Sequence, residues 1–426
     1  MVNNEYCVLL LLYDSLNDVG EESWGLIPLC SHASPSPQLQ KEVCKIEKQR
    51  PVRVTVPRTV KFILMFSTMI SWFRGLLRPF LLASIVFFSF NIFNFCHRIY
   101  LTAQGITYLL FCNDKKWPKP ADPLVTFAPL LSDCPKNNPK IHRKTIVFVR
   151  HGESTWNDTF NKGSHRTALQ FAVAFLPGIL TSLAHEYYLT LRGRIDSWFY
   201  DSPLSKLGLN QVNELAKFLR QDPMTRPDLN EDERLLVGIL RGDPNAPRSK
   251  IVCSSLRRAL STMVSAFRER LGRTKESIVV LPSLQEISRN PDTLSITPVG
   301  KTVEASWIDQ ASSIPFQSFF TNQLDMRYHL GNKAIDTNGL KRMNEFCHVA
   351  FTETLPEQYI IVGGHSIWFR SFFRTFLPYE NCHISKKNKL VNAGCVAFDL
   401  LKTDINGEEK FMIDDKSMRI IYGGFK

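Results

Sequence analysis

The alternation of short apolar runs with helical patterns constrains the fold of this chain more than any other feature. Short apolar runs bounded by turn residues are typical of buried strands. Strands that alternate with helices predict an α/β fold with a mainly parallel central sheet. The predicted strands are Ile146–Val149, Ile251–Cys253, Ile278–Leu281, Tyr359–Val362 and Gly394–Leu400, and the predicted helices are Gly208–Arg220, Arg257–Arg270 and Gly339–Phe351.

Several predicted strands end in residues that can carry chemistry. Arg150 and His151 follow the first strand. Glu286 follows the third strand and His365 follows the fourth. Because the carboxyl ends of parallel strands meet at one edge of a sheet, these side chains are expected to converge. A neutral histidine can attack phosphorus where cations neutralise the phosphoryl oxygens and a carboxylic acid protonates the leaving oxygen, so the sequence predicts a phosphoryl-transfer site.

The segment Val149–Asn157, with the sequence VRHGESTWN, resembles the signature of the histidine phosphatase superfamily, the phosphoglycerate mutase-like enzymes. Four later segments resemble the family's further motifs and follow in its order, and the resemblance covers about residues 144–400. These segments are Asp201–Gln211, Ser254–Thr262, Leu284–Glu286 and Gly363–Arg370. The resemblance implies a three-layer phosphoglycerate mutase-like fold, with helices flanking a mainly parallel sheet, and a reaction that uses no metal and no cofactor.

The resemblance also implies a role for each matching residue around the phosphate. His151 matches the nucleophile that becomes phosphorylated. Arg150 and Arg258 match the guanidinium pair that clamps the phosphoryl group, where a lysine could not replace the fork of parallel N–H donors. His365 matches a second pocket histidine that contacts the same oxygens, and Asn157 matches a polar pocket residue.

The general acid is the residue on which the sequence leaves alternatives open. Glu286 matches the family's acid, which protonates the leaving group and then activates water. The residues that follow Glu286 depart from the family pattern, so Asp292 and Glu153 compete for this role. Arg257, next to the clamp residue Arg258, is expected to be a solvated helix residue.

The N-terminal third of the chain predicts attachment to a membrane. Residues 1–60 are expected to form an N-terminal region and linker, followed by a hydrophobic or transmembrane segment at 61–112 and a connector at 113–143. Within that segment, Pro79–Cys96 holds eighteen residues without a charge, which is just long enough to span a bilayer. A long buried helix and an in-plane helical hairpin are the alternatives.

The catalytic domain is expected at residues 144–426, with three insertions relative to the family pattern. The insertion at 158–200 contains the apolar stretch Phe171–Leu180, for which a core helix is the preferred interpretation. A lid, a dimer surface and a second membrane contact are the alternatives. The insertion at 222–248 is expected to be a surface loop, and the one at 288–333 is expected to shape specificity.

The composition of the chain limits the classes of ligand and partner that are expected. Its formal charge of +12 favours anionic ligands, and a charged fraction of 22% excludes a polytopic membrane protein. Nucleic acid is not expected, because zinc-finger spacing and aromatic–basic patterns are absent from the sequence. The expected function is a phosphatase that hydrolyses a phosphate monoester of a metabolite, lipid or phosphoprotein at a membrane, with its catalytic domain in the cytosol. A phosphoglycerate mutase-type phosphotransferase and a catalytically inactive phosphate-binding or scaffold module are the alternatives, and a homodimer is left open.

Overall fold

The computed structural model describes residues 77–85, 92–133, 140–163 and 166–426, together with the helical residues Ser67, Ser71 and Gly75. The chain divides into two units, residues 1–79 and residues 80–426. Of the first unit, the structure describes Ser67, Ser71, Gly75 and residues 77–79, and all of them are helical. The N-terminal region predicted at residues 1–60 lies outside the described residues, as does most of the predicted segment before residue 77.

A seven-stranded mixed sheet forms the centre of the second unit. Its strands are β1 (His142–Arg150), β2 (Ser249–Ser254), β3 (Ile278–Leu281), β4 (Leu324–Asp325), β5 (Tyr359–Gly364), β6 (Cys395–Ile405) and β7 (Glu408–Tyr422). The order across the sheet is β4, β3, β2, β5, β1, β6, β7. The first five pair in parallel, and β6 and β7 add antiparallel pairs at one side. This confirms the predicted α/β fold with a mainly parallel sheet.

Helices cover the sheet and extend beyond it. They are α1 (Ile92–Phe111), α2 (Pro123–Asp133), α3 (Thr155–Phe160), α4 (Ala168–Leu191), α5 (Lys206–Arg220), α6 (Glu231–Arg241), α7 (Arg257–Thr274), α8 (Trp307–Gln310), α9 (Phe316–Gln323), α10 (Gly339–Ala350) and α11 (Ser366–Phe376). In the part of the chain that the structure describes, 3₁₀ turns lie at Pro223–Thr225, Pro282–Leu284, Pro291–Thr293 and Ile384–Lys386.

The side chains of β1 alternate between two hydrophobic cores, one on each face of the sheet. Val147 and Val149 pack into the core that contains the buried faces of α5, α6 and α7. Ile146 and Phe148 pack into the opposite core, which contains the buried faces of α10 and α11. Because successive strand residues point to opposite faces, an apolar run without polar alternation is what a strand buried on both sides requires. The sheet therefore lies between two helical layers.

The register of the parallel strands sets the position of the predicted site. Arg150 at the end of β1 pairs with Gly364 at the end of β5, and Cys253 near the end of β2 pairs with Gly363. His151 and His365, which directly follow these strands, therefore lie at the same edge of the sheet, as predicted from the sequence.

The expectation that residues 222–248 form a surface loop was wrong for their central part. Helix α6 lies there and buries Leu236–Leu240 in the core. Asn230 caps its first turn through a reciprocal bond with Glu233, and Gly242 ends it with a left-handed backbone at φ 63°. The segment is rich in charged residues and its buried apolar residues span little more than one helical turn, so the sequence pattern did not indicate a helix.

The preferred interpretation of Phe171–Leu180 as a core helix was also wrong. Helix α4 spans 24 residues, and only Ser182 and Leu189 are buried along it. Among the described residues, α4 is the helix that is long and apolar enough to cross a membrane, judged by length and composition only.

Helix α1 is the described continuation of the predicted hydrophobic segment. Its residues Leu101 and Tyr108, with Cys112 just after the helix, pack against Tyr200, Leu294 and Ile296 in a small separate core. The opposite side of α1 is exposed and apolar. The part of the segment from residue 92 onward is thus attached to the catalytic unit along one face.

Candidate active site

A cavity of about 470 Å³ opens at the carboxyl edge of the sheet, a size that suits a small ligand. Five of the six residues predicted for the site line it. These are Arg150, His151, Asn157, Arg258 and Glu286. The sixth, His365, is fully buried beside His151.

The ring of His151 has one nitrogen engaged by the backbone. Its Nδ1 lies within hydrogen-bond distance of the carbonyl oxygen of Gly152. A carbonyl oxygen can only accept, so Nδ1 carries the proton of the neutral ring and Nε2 keeps its lone pair. This is the tautomer from which Nε2 can attack an electrophile.

Burial and two neighbouring arginines keep His151 uncharged. Burial lowers the pKa of His151 well below its usual value, and the charges of Arg258 and Arg150 lower it further. The hydrogen bond to Gly152 acts in the opposite direction. At neutral pH the imidazole is therefore neutral, which is the nucleophilic form.

Arg150 and Arg258 are nearly fully buried, and the Nε of each lacks a hydrogen-bond partner among the described residues. Burial lowers the pKa of Arg150 to about 10, which still leaves it charged at neutral pH. Its Nη1 donates to the carbonyl oxygen of Leu390. Nη1 of Arg258 donates to the backbone carbonyl of Asp292 at 2.6 Å. A buried donor without an acceptor is costly, so an anion with several oxygens suits this pair.

Glu286 lies at the N-terminus of α11, where it accepts hydrogen bonds from the backbone. Its Oε1 accepts from the N–H groups of Ile287 and Trp368, both at 2.9 Å. Its Oε2 accepts from Ile367 at 3.2 Å. These bonds fix the carboxyl group on the cavity wall, where the acid predicted from the resemblance is required.

Asp292, an alternative for the acid, also lines the cavity and is nearly fully buried. Its Oδ2 lies 3.4 Å from Nη2 of Arg258, and its Oδ1 has no partner among the described residues. Burial raises the pKa of Asp292 to about 6, Glu286 adds to the rise, and Arg258 and Lys333 oppose it. The carboxyl group therefore changes charge near neutral pH, next to a clamp arginine.

We expect Asp292→Asn to tighten binding of inorganic phosphate at pH 7.5 by about three- to tenfold and to leave it nearly unchanged at pH 5. The carboxyl group is neutral below its pKa of about 6 and negative above it, so asparagine mimics the low-pH state. The measurement is the inhibition constant of phosphate for the variant and for wild type at each pH. Because phosphate itself titrates in the same way in both assays, the ratio of the two constants removes that effect. Equal ratios at the two pH values would show that the charge of Asp292 does not act on the ligand.

His365 lies behind His151, with 4.9 Å between the centres of the two rings. Its Nε2 is 2.8 Å from the hydroxyl of Ser254, and its Nδ1 has no partner in the described part of the chain. Burial lowers the pKa of His365 well below its usual value, so it too is neutral. Direct contact of His365 with a phosphate stays a prediction.

Asn157 and Glu153 belong to the loop and helix that follow β1. The amide Oδ1 of Asn157 accepts from Asn161 at 2.7 Å, and the Asn157 side chain lines the cavity. Glu153 also lines the cavity, and its backbone carbonyl accepts from Ser205 at 2.8 Å. At Gly208 a Cβ atom would lie 2.0 Å from that carbonyl, so only glycine permits the close approach of α5 to the loop.

The expectation that Arg257 is a solvated helix residue was wrong. Its Nη1 donates to Oδ1 of Asp196 at 2.7 Å, and its Nη2 donates to the carbonyl of Asp201 at 3.0 Å. The carboxylate of Asp201 in turn accepts from the backbone N–H groups of Arg257 and Ile296 at 2.9 and 3.0 Å. All three charged side chains are buried. Arg257 therefore ties α7 to the segment before α5, whereas Arg258 faces the cavity.

A buried ionic cluster that the sequence did not reveal supports the loop carrying Glu286. Nζ of Lys333 donates to the carbonyls of Glu286 and Ser288 at 2.7 and 2.6 Å and to Asp114 at 2.6 Å. Arg342 pairs with the same aspartate and donates to the carbonyl of Gln285. The cluster joins positions far apart in the chain, and no local pattern marks them.

Three lysines that line the cavity were also not predicted from the sequence: Lys115, Lys389 and Lys426. The last two are held together by paired backbone hydrogen bonds of 3.0 and 2.9 Å. With Arg150 and Arg258 they bring five basic side chains to the cavity wall, against the three carboxyl groups of Glu153, Glu286 and Asp292. Within the described ranges, no group of three or more His, Cys, Asp or Glu side chains is arranged to hold a metal ion.

The chain is similar to solved structures of several phosphatases. A mycobacterial glucosyl-3-phosphoglycerate phosphatase complexed with VO3 shares 17% identity, with 64% of this chain and 97% of that chain covered at a TM-score of 0.29. The phosphoserine phosphatase of Entamoeba histolytica, complexed with 3-phosphoglyceric acid, shares 14%, with 60% and 89% covered at a TM-score of 0.26. The ecdysone phosphate phosphatase of Bombyx mori, complexed with tungstate, shares 16%, with 60% and 88% covered at a TM-score of 0.29.

Similarity at these levels assigns neither a family nor an activity to this chain. No family model and no curated protein matches it. The geometry of the cavity and the sequence motifs therefore carry the functional interpretation.

Proposed function

We propose that this protein is a metal-independent phosphatase of the histidine phosphatase superfamily, which hydrolyses a phosphate monoester through a covalent phosphohistidine on His151. The observation that carries the proposal is the buried, neutral ring of His151, whose Nε2 keeps its lone pair beside two buried arginines. The resemblance of five segments in family order supports it. Hydrolysis of p-nitrophenyl phosphate by the full-length protein in EDTA tests it.

In the first step, Nε2 of His151 attacks phosphorus and the P–O bond to the leaving group breaks. Arg150 and Arg258 neutralise the phosphoryl oxygens, and Glu286, in its protonated form, donates its proton to the leaving oxygen. In the second step, the Glu286 carboxylate takes a proton from water while the water oxygen attacks phosphorus. The P–N bond breaks, Nε2 recovers its lone pair, and phosphate leaves.

We expect Arg258→Lys to lower kcat/KM for p-nitrophenyl phosphate by about 10- to 100-fold, because charge-assisted bonds worth about 1.5–3 kcal/mol are lost with the fork. Lysine keeps the positive charge, so the fall in kcat/KM reports the loss of the planar guanidinium geometry rather than a loss of charge. The matched control is Arg273→Lys on the same helix, whose side chain is 47% exposed and whose hydrogen bonds are to surface carbonyls. Equal kcat/KM for Arg258→Lys and wild type would exclude Arg258 from the clamp.

A mutase-type phosphotransferase is the second candidate, and the three lysines at the cavity favour it. A basic wall around the phosphate position suits a substrate with a second anionic group, such as a phosphorylated carboxylic acid. The two functions differ in whether water or a second substrate oxygen takes the phosphoryl group. Interconversion of 3- and 2-phosphoglycerate with a bisphosphate primer, measured against release of inorganic phosphate, separates them.

A position at a membrane, with the catalytic unit in the cytosol, belongs to the same proposal. The apolar composition of residues 61–112 supports it, and so does the length and composition of α4. Turnover of a phosphorylated metabolite, lipid and protein, compared under the same conditions, tests which class of phosphate monoester is the substrate.

A further inference from the structure

Exposed apolar side chains are concentrated on one set of helices in the second unit. Helical residues 80–85, helix α1 and helix α4 hold most of the exposed large hydrophobic side chains in the described part of the chain. Soluble monomers rarely expose apolar patches larger than a few hundred Å². This set, here called the apolar face, therefore requires a partner.

On α4 the five most exposed large apolar side chains form one stripe. Leu169, Val173, Leu176, Leu180 and Leu183 recur at spacings of four and three, which places them on one side of a helix. Their exposed fractions run from 53% to 75%. The residues Ser182, Glu186 and Leu189 lie on the other side, toward the catalytic unit.

On α1 the same division appears. Ile92, Ile99, Ile106 and Leu110 are exposed at one side, whereas Leu101, Gly105 and Tyr108 are buried at the other. Arg98 of α1 forms an ion pair with Glu186 of α4, so these charges neutralise each other between the helices. A hydroxyl contact of 3.2 Å between Ser84 and Tyr187 attaches residues 80–85 to α4. These two contacts join the three stretches to one another.

The contacts of α4 favour an orientation in the plane of a bilayer, although its length of about 36 Å would suffice to cross one. Thr159, just before α4, contacts Ser182 within it at 3.3 Å and accepts from Trp198 beyond it at 3.0 Å. Glu186 accepts from the backbone N–H of Trp198 at 2.7 Å. Because the segments before and after α4 both contact its second half from the side opposite the stripe, we expect the stripe to be the side that meets a membrane.

We propose that the apolar face lies in the plane of a lipid bilayer, at the level of the headgroups, with α1 and α4 parallel to the surface. The charges that border α4 are basic at both ends, with Lys162 and Arg166 before it and Arg192 and Arg194 after it. Basic borders around an apolar stripe match anionic headgroups. A second copy of the chain fits less well, since either direction of pairing between two α4 stripes brings like charges together.

Continuity along the chain supports the same partner. The sequence Phe62–Phe73, which leads toward residues 80–85, is almost wholly apolar. The apolar face also lies close to the cavity. The buried side of α1 contacts Pro291, next to Asp292, and the loop before α4 supplies Asn161 and Gly163 to the cavity wall. Docking would therefore bring the cavity to the membrane surface.

The test uses tryptophan placed on the face of the full-length protein in vesicles of phosphatidylcholine and phosphatidylserine. The phosphatidylcholine carries bromine, which quenches tryptophan on contact, at a shallow or a deep acyl position. Leu169→Trp and Leu183→Trp lie near opposite ends of the stripe, and Leu330→Trp, 81% exposed and outside the face, is the control. The wild-type signal is subtracted from each.

We expect both stripe tryptophans to be quenched to the same extent, more by shallow than by deep bromine, with Leu330→Trp unaffected. Quenching of one stripe position by shallow bromine and the other by deep bromine would mean that α4 spans the bilayer. A lack of quenching at both, with or without a dimer in crosslinking, would overturn the proposal. Hydrolysis of p-nitrophenyl phosphate in the same samples reports the proposed function separately, because none of these positions lines the cavity.

Discussion

Replacing His151 by alanine is expected to lower kcat for p-nitrophenyl phosphate by about 10³-fold or more, because the substitution removes the group that attacks phosphorus. The ring lies within the influence of the charges of Arg150 and Arg258, with its Nε2 unprotonated, so the substitution removes the nucleophile and leaves the clamp. The measurement is the initial rate of the full-length protein in EDTA, with wild type assayed at the same protein concentration.

The matched control is His348→Ala, since His348 is half-exposed and pairs with Glu409 at the surface. This variant should keep the wild-type rate. The His151→Ala protein should also bind inorganic phosphate, because Arg150 and Arg258 remain. Equal rates for wild type and His151→Ala would refute catalysis through this histidine.

Replacing Arg257 by methionine is expected to destabilise the catalytic unit by about 3–5 kcal/mol, the cost of removing one partner from a buried ionic group. Asp196 and Asp201 would keep their buried carboxylates without the guanidinium that joins them. Burial already raises the pKa of Asp201, and Arg257 is the first of the groups that oppose this rise. Thermal unfolding followed by circular dichroism should show a fall in Tm on the order of 10 °C.

The comparison variant is Arg220→Met, which breaks a pair with Glu269 between two exposed side chains. Surface pairs contribute about 0–1 kcal/mol, so its Tm should stay near that of wild type. A fall in Tm for Arg257→Met no larger than that for Arg220→Met would show that the buried charges are not coupled as described.

The positions of the strands, and the edge of the sheet at which the site residues meet, could be predicted because the apolar pattern of each strand is local in the sequence. Ile146–Val149 and Tyr359–Val362 are uniformly apolar, as strands covered on both faces must be, and both run into the residues of the site. The convergence of His151, Glu286 and His365 then follows from parallel pairing, which brings the carboxyl ends to one edge.

The features that sequence reasoning missed depend on tertiary contacts. Arg257 and Arg258 are neighbours in one helix, and only the positions of Asp196 and Asp201 decide that the first is structural. Helix α4 reads as a core helix because its apolar residues surround it, and sequence does not show that the catalytic unit covers a single side. The Lys333 cluster joins residues more than 200 positions apart, from Asp114 to Arg342.

The most direct measurement is the capture of the phosphorylated enzyme during turnover. The full-length protein is mixed with a substrate carrying labelled phosphate and quenched in alkaline detergent, because a P–N bond to histidine survives alkali and breaks in acid. We expect label on the wild-type protein that is lost in mild acid, maps to the peptide containing His151, and is absent from His151→Ala. Turnover without protein-bound label, or label that persists in His151→Ala, would contradict this expectation.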